Sequence, residues 1–325
     1  MLTRAKAALV RRLGISRLAE QHATLCAELD SVRGDLAAVQ SELQRTVDDL
    51  RHAHADLVDR AKRSDRWNDV QATSLLFARL VAPRTPISVV MATRDRPELC
   101  RRAVLSVIAQ RHPEWQLLVV DDGSTDGTSR VLDDLADTRI VRLHSGGVGA
   151  AAARNLAIEA ATGDWVTFLD DDNVMDEGWL HAIAVLGGHR PDVVATYGAQ
   201  LRQHEAGDGH DGLAASLLFA DDAQLGGLLH DNVIDLGAVA VRRSSHELYL
   251  HADLHRFIDW DFVVRLHHAH GLHPLPVWSG VYTTDAGDRI SSRGGDDAIE
   301  TFRRRLADPA DPVGRPGCRP GAERP

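Results

Sequence analysis

The spacing of apolar residues changes character along the chain. Between residues 18 and 61, Leu29, Leu36, Leu43, Leu50 and Leu57 return every seven residues, with Leu25, Val32, Val39, Thr46 and Ala53 as a second row. The stretch holds no proline and one glycine, Gly34. A repeat of this kind predicts a long amphipathic helix with a coiled-coil seam. Leucine at a with β-branched residues at d leans away from a simple dimer. The same stripe would also suit a helix folded back on a neighbouring domain.

Pro83 and Pro86 end that pattern, and short apolar runs then alternate with amphipathic ones. Strands are predicted at 87–92, 117–120, 140–143 and 165–169, with a further one at 193–197. Helices are predicted from Pro97, around Val131–Leu135, over 150–161 and over 261–270. Residues 202–212 read as a polar loop and 233–241 as strand-like. Alternation of this type predicts an α/β fold with a parallel sheet covered on both faces. The chain therefore divides into a basic segment 1–17, a coiled-coil helix and linker 18–80, a catalytic domain 84–305 and a proline-rich tail 308–325 expected to be disordered.

Composition narrows the picture. With 44% apolar and 26% charged residues, the 325-residue chain is that of a soluble globular protein. A net charge of −10 excludes a non-specific nucleic-acid binder, which needs a basic face. Cys26, Cys100 and Cys318 form no metal or disulfide framework, so a reducing, cytoplasmic setting is expected. No run is long and apolar enough to span a bilayer. Arg4, Lys6, Arg11, Arg12 and Arg17, interleaved with Leu2, Leu9, Val10 and Leu13, suit either a solvated helix or contact with the inner, anionic face of a membrane.

In parallel sheets, active sites gather at the carboxyl ends of strands. Here those ends read Thr93-Arg94-Asp95-Arg96, Asp121-Asp122-Gly123-Ser124-Thr125-Asp126-Gly127 and Asp170-Asp171-Asp172-Asn173. Three successive carboxylates are costly unless a cation neutralises them, and hard oxygen ligands beside a phosphate suit Mg²⁺ or Mn²⁺. The plainer readings are a turn with Ser124 or Thr125 as helix cap, and a solvated acidic turn.

The segments Val89-Val90-Met91-Ala92-Thr93-Arg94-Asp95, Val119-Val120-Asp121-Asp122-Gly123-Ser124-Thr125-Asp126-Gly127-Thr128 and Phe168-Leu169-Asp170-Asp171-Asp172 resemble family-2 glycosyltransferases of the GT-A fold, over residues 86 to about 285. The resemblance implies a mixed, mostly parallel sheet flanked by helices, a nucleotide-sugar donor and a divalent cation. It implies that Ala92 and Arg94 border the nucleobase, that Asp122 accepts a hydrogen bond from it, and that Arg154 lies near base and phosphates. Many relatives carry an aromatic residue where Arg94 stands, although a guanidinium also stacks on a base. Asp170, Asp171 and Asp172 match the DXD motif, with Asp172 as metal ligand.

Further along, Ile258-Asp259-Trp260-Asp261-Phe262, followed by Arg265-Leu266, is similar to the family's Glu-Asp motif. That makes Asp259 the general base of a single, inverting displacement, with Asp261 next in line. Ile258 replaces the usual glutamate. The plainer reading of Asp259 is a helix N-cap. Asp285 is a second metal or phosphate candidate, with a surface turn as its alternative. His230-Asp231-Asn232 and Asp235 face the acceptor by position alone. The QxxRW motif of processive synthases is absent, so one sugar is expected per encounter. The acceptor is a glycan, a lipid-linked sugar or a small molecule, and the heptad helix offers a route to a homo-oligomer.

Two rival readings use the same residues. Gly147-Val148-Gly149-Ala150-Ala151-Ala152 fits GxGxxA between a strand and a helix, as in an NAD(P)-dependent oxidoreductase. It follows the third strand rather than the first, and leaves the aspartate clusters without a role. An inactive scaffold or glycan-binding protein is the other; the full set of carboxylates speaks against it. His267, His268 and His270, and His251 with His255, form no convincing ligand set.

Overall fold

The computed structural model describes residue 22 and residues 66–204, 214–219, 227–254, 256–283 and 296–308. All but His22 belong to the second of two compact units, Arg60–Pro325. The heptad stretch 18–61, apart from that histidine, lies outside the described residues, as do Asp285 and the tail from 309.

Strands β1 (Ile87–Thr93), β2 (Trp115–Asp121), β3 (Ile140–His144) and β4 (Trp165–Phe168) form a parallel block in the order β3-β2-β1-β4. Helices α2 (Pro97–Ile108), α3 (Thr128–Asp134) and α4 (Ala150–Ala160) connect them; α1 (Arg66–Phe77) precedes them. After β5 (Val174–Met175) and α5 (Trp179–His189) come β6 (Ala195–His204), β7 (Ala214–Leu218), β8 (Val239–Arg242), α6 (Ile258–His270), β9 (His273–Thr283) and α7 (Asp296–Ala307). The sheet continues from β4 through β8, β6 and β9 to β5. Strand β8 runs antiparallel to β4 and β6, whereas β6 and β9 are parallel. The sheet is thus mixed and mostly parallel in its first half, flanked by helices.

Every residue of β1 is buried because both faces of the sheet are covered. Ile87, Val89 and Met91 enter one apolar layer with Val104 and Val107 of α2 and Ile183 of α5. Val90 and Ala92 enter the other, with Ala153 and Ala157 of α4 and Trp260 and Val263 of α6. Burying each large apolar side chain stabilises by about 1.5–3 kcal/mol, so the β1 run could not sit at a wet edge. Pro97 opens α2, where a missing N–H costs nothing.

Four expectations need correction. Residues 202–204 continue β6 instead of opening a loop, because all three pair with β7, and Arg202 and Gln203 also pair with β9. The stretch 233–241 is not one strand. The Asp235 carboxylate accepts the Gly237 N–H at 2.9 Å and starts a 3₁₀ turn, Leu236–Ala238, before β8. Helix α6 begins at Ile258 rather than Asp261. Helix α1, read as part of the linker, packs on β9: the Trp67 and Trp278 rings lie 5.1 Å apart, and Ser74 Oγ accepts the Trp278 N–H at 3.0 Å. Among the described residues no helix is long and apolar enough to cross a membrane.

Candidate active site

The carboxyl ends of β1, β2 and β4 open onto a cleft of about 590 Å³. It is lined by Ala92, Thr93, Arg94, Arg96, Asp122, Gly149, Ala150, Arg154, Asp170, Asp171 and Asp172. Seven of these were singled out from sequence: Ala92, Arg94, Asp122, Arg154, Asp170, Asp171 and Asp172. Residues spread over some eighty positions meet because parallel strands all end at one edge.

The loops behind that edge are tied to one another. Asp95 adopts a left-handed φ of 52°. Its N–H donates to Ser124 Oγ at 3.0 Å, and its Oδ1 accepts the Thr125 N–H at 2.7 Å. Ser124 and Thr125 therefore join the β1 and β2 loops; neither caps α3, which has Gly127 at its N-cap and no side-chain cap. Asp121 is buried and accepts from Ser124 N–H at 2.8 Å and from the Ser129 hydroxyl. Burial pushes its pKa up, but the hydrogen bonds from Ser124 and Ser129 outweigh that and leave it below the usual range.

Asp122 is almost fully buried. Its Oδ1 accepts from Ser145 Oγ at 2.6 Å, Gly147 N at 3.0 Å and Val148 N at 2.8 Å, and its Oδ2 accepts from Gly149 N at 2.9 Å. The N–H groups of the GxGxxA loop are thus filled by a carboxylate of the same chain. A dinucleotide pyrophosphate would need those same groups, which removes the structural basis of the oxidoreductase reading. Gly147 and Gly149 have φ of 86° and 94°, a backbone that side chains rarely allow.

The aspartate triplet finds its counter-charges within the protein. Arg154 Nη2 donates to Asp170 Oδ1 at 2.5 Å. Arg96 Nη1 donates to Asp171 Oδ1 at 3.0 Å and lies 3.3 Å from Asp172 Oδ2. Thr93 Oγ1 adds a 2.8 Å bond to Asp171 Oδ2. Burial raises the Asp171 pKa, with Arg96 and Thr93 opposing. Arg96 was missed in the sequence. No local signal marks it, because the carboxylates it meets lie 75 and 76 residues further along the chain.

Among the described residues no group of three or more His, Cys, Asp or Glu side chains is disposed to hold a metal. Mg²⁺ or Mn²⁺ beside a diphosphate uses one or two protein carboxylates and takes its other ligands from phosphate and water. Asp172 borders the cleft and fits that role; Asp285 falls outside the described residues.

Asp259 lies outside the cleft lining but close enough to Asp170 for their charges to interact. It occupies the first turn of α6, whose N-cap is Phe257 with no side-chain cap, so Asp259 is not an N-cap. Phe257 is held at a strained φ of 59°. Its ring packs 5.9 Å from Trp260 and 5.0 Å from Phe302. Desolvation and Asp170 raise the Asp259 pKa, against hydrogen bonds from Asn232 and the Trp260 backbone. Asp235 shares this field: burial, Asp170 and Asp259 push it up to about 7. Asp261, the alternative base, is fully buried on Arg265 and His251, with Arg265 Nε at 3.0 Å, and is closed to a substrate.

Residues 88–224 match the family model described as Glycosyl transferase family 2. A UDP-Glc:alpha-D-GlcNAc-diphosphoundecaprenol beta-1,3-glucosyltransferase, WfgD, of Escherichia coli is 35% identical over 89 residues, 27% of this chain and 35% of that protein. A glucosyl-dolichyl phosphate glucuronosyltransferase of Haloferax volcanii is 34% identical over 116 residues, 34% of this chain and 37% of that protein. The matched regions span 16–39% of the length of these and other curated relatives. The crystal structure of S. aureus TarS 1-349 in complex with UDP-GlcNAc superposes with a TM-score of 0.55 at 18% identity, covering 68% of this chain and 65% of that one, which identifies the fold as GT-A. Residues 88–224 therefore form a Glycosyl transferase family 2 domain, homologous to those of bacterial glycosyltransferases.

Proposed function

We propose that this protein transfers a single sugar from a nucleoside-diphosphate sugar to an acceptor hydroxyl, with inversion at the anomeric carbon. The observation that carries the reading is the cleft itself. It gathers Ala92, Arg94, Asp122, Arg154 and the three aspartates at one sheet edge, with Asp259 just beyond Asp170. Ala92 and Arg94 border the base. Arg154 meets the phosphates, and Asp122 holds the Gly147–Gly149 loop that forms one wall. Asp172 is the residue that would hold Mg²⁺ or Mn²⁺ against the diphosphate. Bound there, such an ion would neutralise charge on the departing nucleotide.

Asp259 accepts the proton of the acceptor hydroxyl, and that oxygen attacks the anomeric carbon from the face opposite the leaving diphosphate. A raised pKa suits a base, because it strengthens proton affinity. A lipid-diphosphate-linked sugar is the acceptor class favoured by the likeness to WfgD, and uridine diphosphate sugars are the first donors to try, given the TarS complex. Self-association through the heptad helix and contact of the basic N-terminus with a membrane belong to the same proposal.

A thermal-shift screen of nucleotide sugars with Mn²⁺ tests it, followed by assay of nucleotide release. A nucleotide diphosphate should stabilise the protein in the presence of metal, and NAD should not. Stabilisation by NAD alone would overturn the reading.

A further inference from the structure

Asn232 sits on the loop 227–235 ahead of the 3₁₀ turn, and its Nδ2 donates to Asp259 Oδ2 at 2.8 Å. The reverse orientation of the amide would set a carbonyl oxygen against a carboxylate, so the donor assignment follows from chemistry. The two residues belong to segments fastened to each other. Trp260 Nε1, one residue after Asp259, donates to the Leu228 carbonyl at 2.5 Å. Arg303 Nε of α7 donates to the His230 carbonyl at 2.6 Å. Leu228, Ile234, Trp260 and Phe302 are buried in one apolar layer, and the Trp260 and Phe302 rings lie 5.1 Å apart. Loop and helix start are thus built on one aromatic cluster.

A carboxylate in the first turn of a helix samples several rotamers unless something holds it. Among the described residues, the charged groups that act on Asp259 include Asp170 after β4 and Asp235 before β8, both acidic. Repulsion from them would turn the side chain away or protonate it. A neutral donor on Oδ2 resists both, since a hydrogen bond to the charged form favours that form.

We propose that Asn232 is the positioning residue of Asp259: its amide holds one carboxylate oxygen, so that the charge stays directed at an acceptor hydroxyl. The inference rests on the reading of Asp259 as general base. It also gives α7 a task, because Arg303 and Phe302 brace the loop that carries Asn232.

The test compares the parent with Asn232→Ala, Asn232→Ser and Asp259→Asn. In the full chain carrying ¹³C-carboxyl aspartate, the Asp259 resonance is identified by its loss in Asp259→Asn and titrated. Asn232→Ala should make Asp259 bind its proton about tenfold more tightly, and should lower UDP release from UDP-GlcNAc about tenfold. Asn232→Ser, which keeps a shorter donor, should recover part of both. The Kd for UDP with Mn²⁺ should stay at the parent value, because Asn232 does not line the nucleotide cleft, and the melting temperature should fall only at pH values where Asp259 is ionised, staying at the parent value where it is protonated. An unchanged Asp259 titration in Asn232→Ala overturns the inference, as does a loss of rate matched by an equal loss of melting temperature at low pH, where Asp259 is protonated. Parental turnover by Asn232→Ala beside an inactive Asp259→Asn overturns the role of Asn232 alone. Parental turnover by Asp259→Asn overturns the base assignment and this inference with it.

Discussion

Asp122 accepts the Gly149 N–H at 2.9 Å across 27 residues of chain, closing the β2 loop onto the turn that opens α4. With Gly147 and Val148 donating to the same carboxylate, a loop of the kind that elsewhere receives a phosphate is held by the protein's own anion. One wall of the cleft is thereby preformed.

Asp122→Ala should therefore loosen that wall. The freed N–H groups lie at the surface and can be hydrated, so the loss of stability should be modest, about 1–2 kcal/mol. UDP affinity should fall with it. Calorimetry and thermal melting together check this; unchanged UDP affinity would remove Asp122 from the nucleotide site.

Asp172→Asn keeps the size of the side chain and removes the charge needed for a divalent cation. Transfer should be almost abolished with melting unchanged, and EDTA should reproduce the loss in the parent protein. Full activity in chelator would exclude the metal-dependent reading.

Asp259→Asn should lower turnover about 10²–10⁴-fold while UDP affinity stays constant. The base works only when ionised, and burial with Asp170 raises its pKa. Turnover should thus climb with pH through a midpoint above that of an ordinary carboxylate. The rise should vanish in the variant. A pH–rate profile from pH 4 to 8 decides it.

Asp235 carries a linked stability effect. Its pKa is raised from 3.8 to about 7 in the fold, so between those values the folded state holds more protons than the unfolded one. Stability from this group accordingly falls as pH rises across that window. Asp235→Asn should raise the melting temperature at pH 8 and leave it nearly unchanged at pH 4. Equal shifts at both values would mean that the carboxyl is not perturbed.

The candidate site was legible where chemistry sits at a strand end. Asp122 and Asp170–Asp172 each follow a continuous apolar run, and a buried parallel strand has one end at which polar groups can emerge. Arg96 was not legible, because its partners lie 75 and 76 residues away and a lone arginine before a proline carries no local sign of them. Asn232 was placed near the acceptor by position alone. Its contact with Asp259 depends on the aromatic cluster of Phe257, Trp260 and Phe302, which draws on segments well apart in the chain. Helix α6 was started too late because Asp259 read as a capping residue; the chain enters instead through the left-handed Phe257.

By itself the sequence determined the parallel half of the sheet and the edge at which its chemistry gathers. Continuous apolar runs of strand length admit only a doubly covered strand, and the residues after them must then meet at one edge. Tertiary structure alone decided what each charged group faces. Whether the Gly147–Gly149 amides hold a phosphate or Asp122, and whether three aspartates are balanced by metal or by Arg96 and Arg154, depends on contacts between separate loops. Electrostatic energy is set by distance and burial rather than by order in the chain. Asp259, with Asn232 on one side and Asp170 and Asp235 near it, acquires its proton affinity only when those segments are brought together.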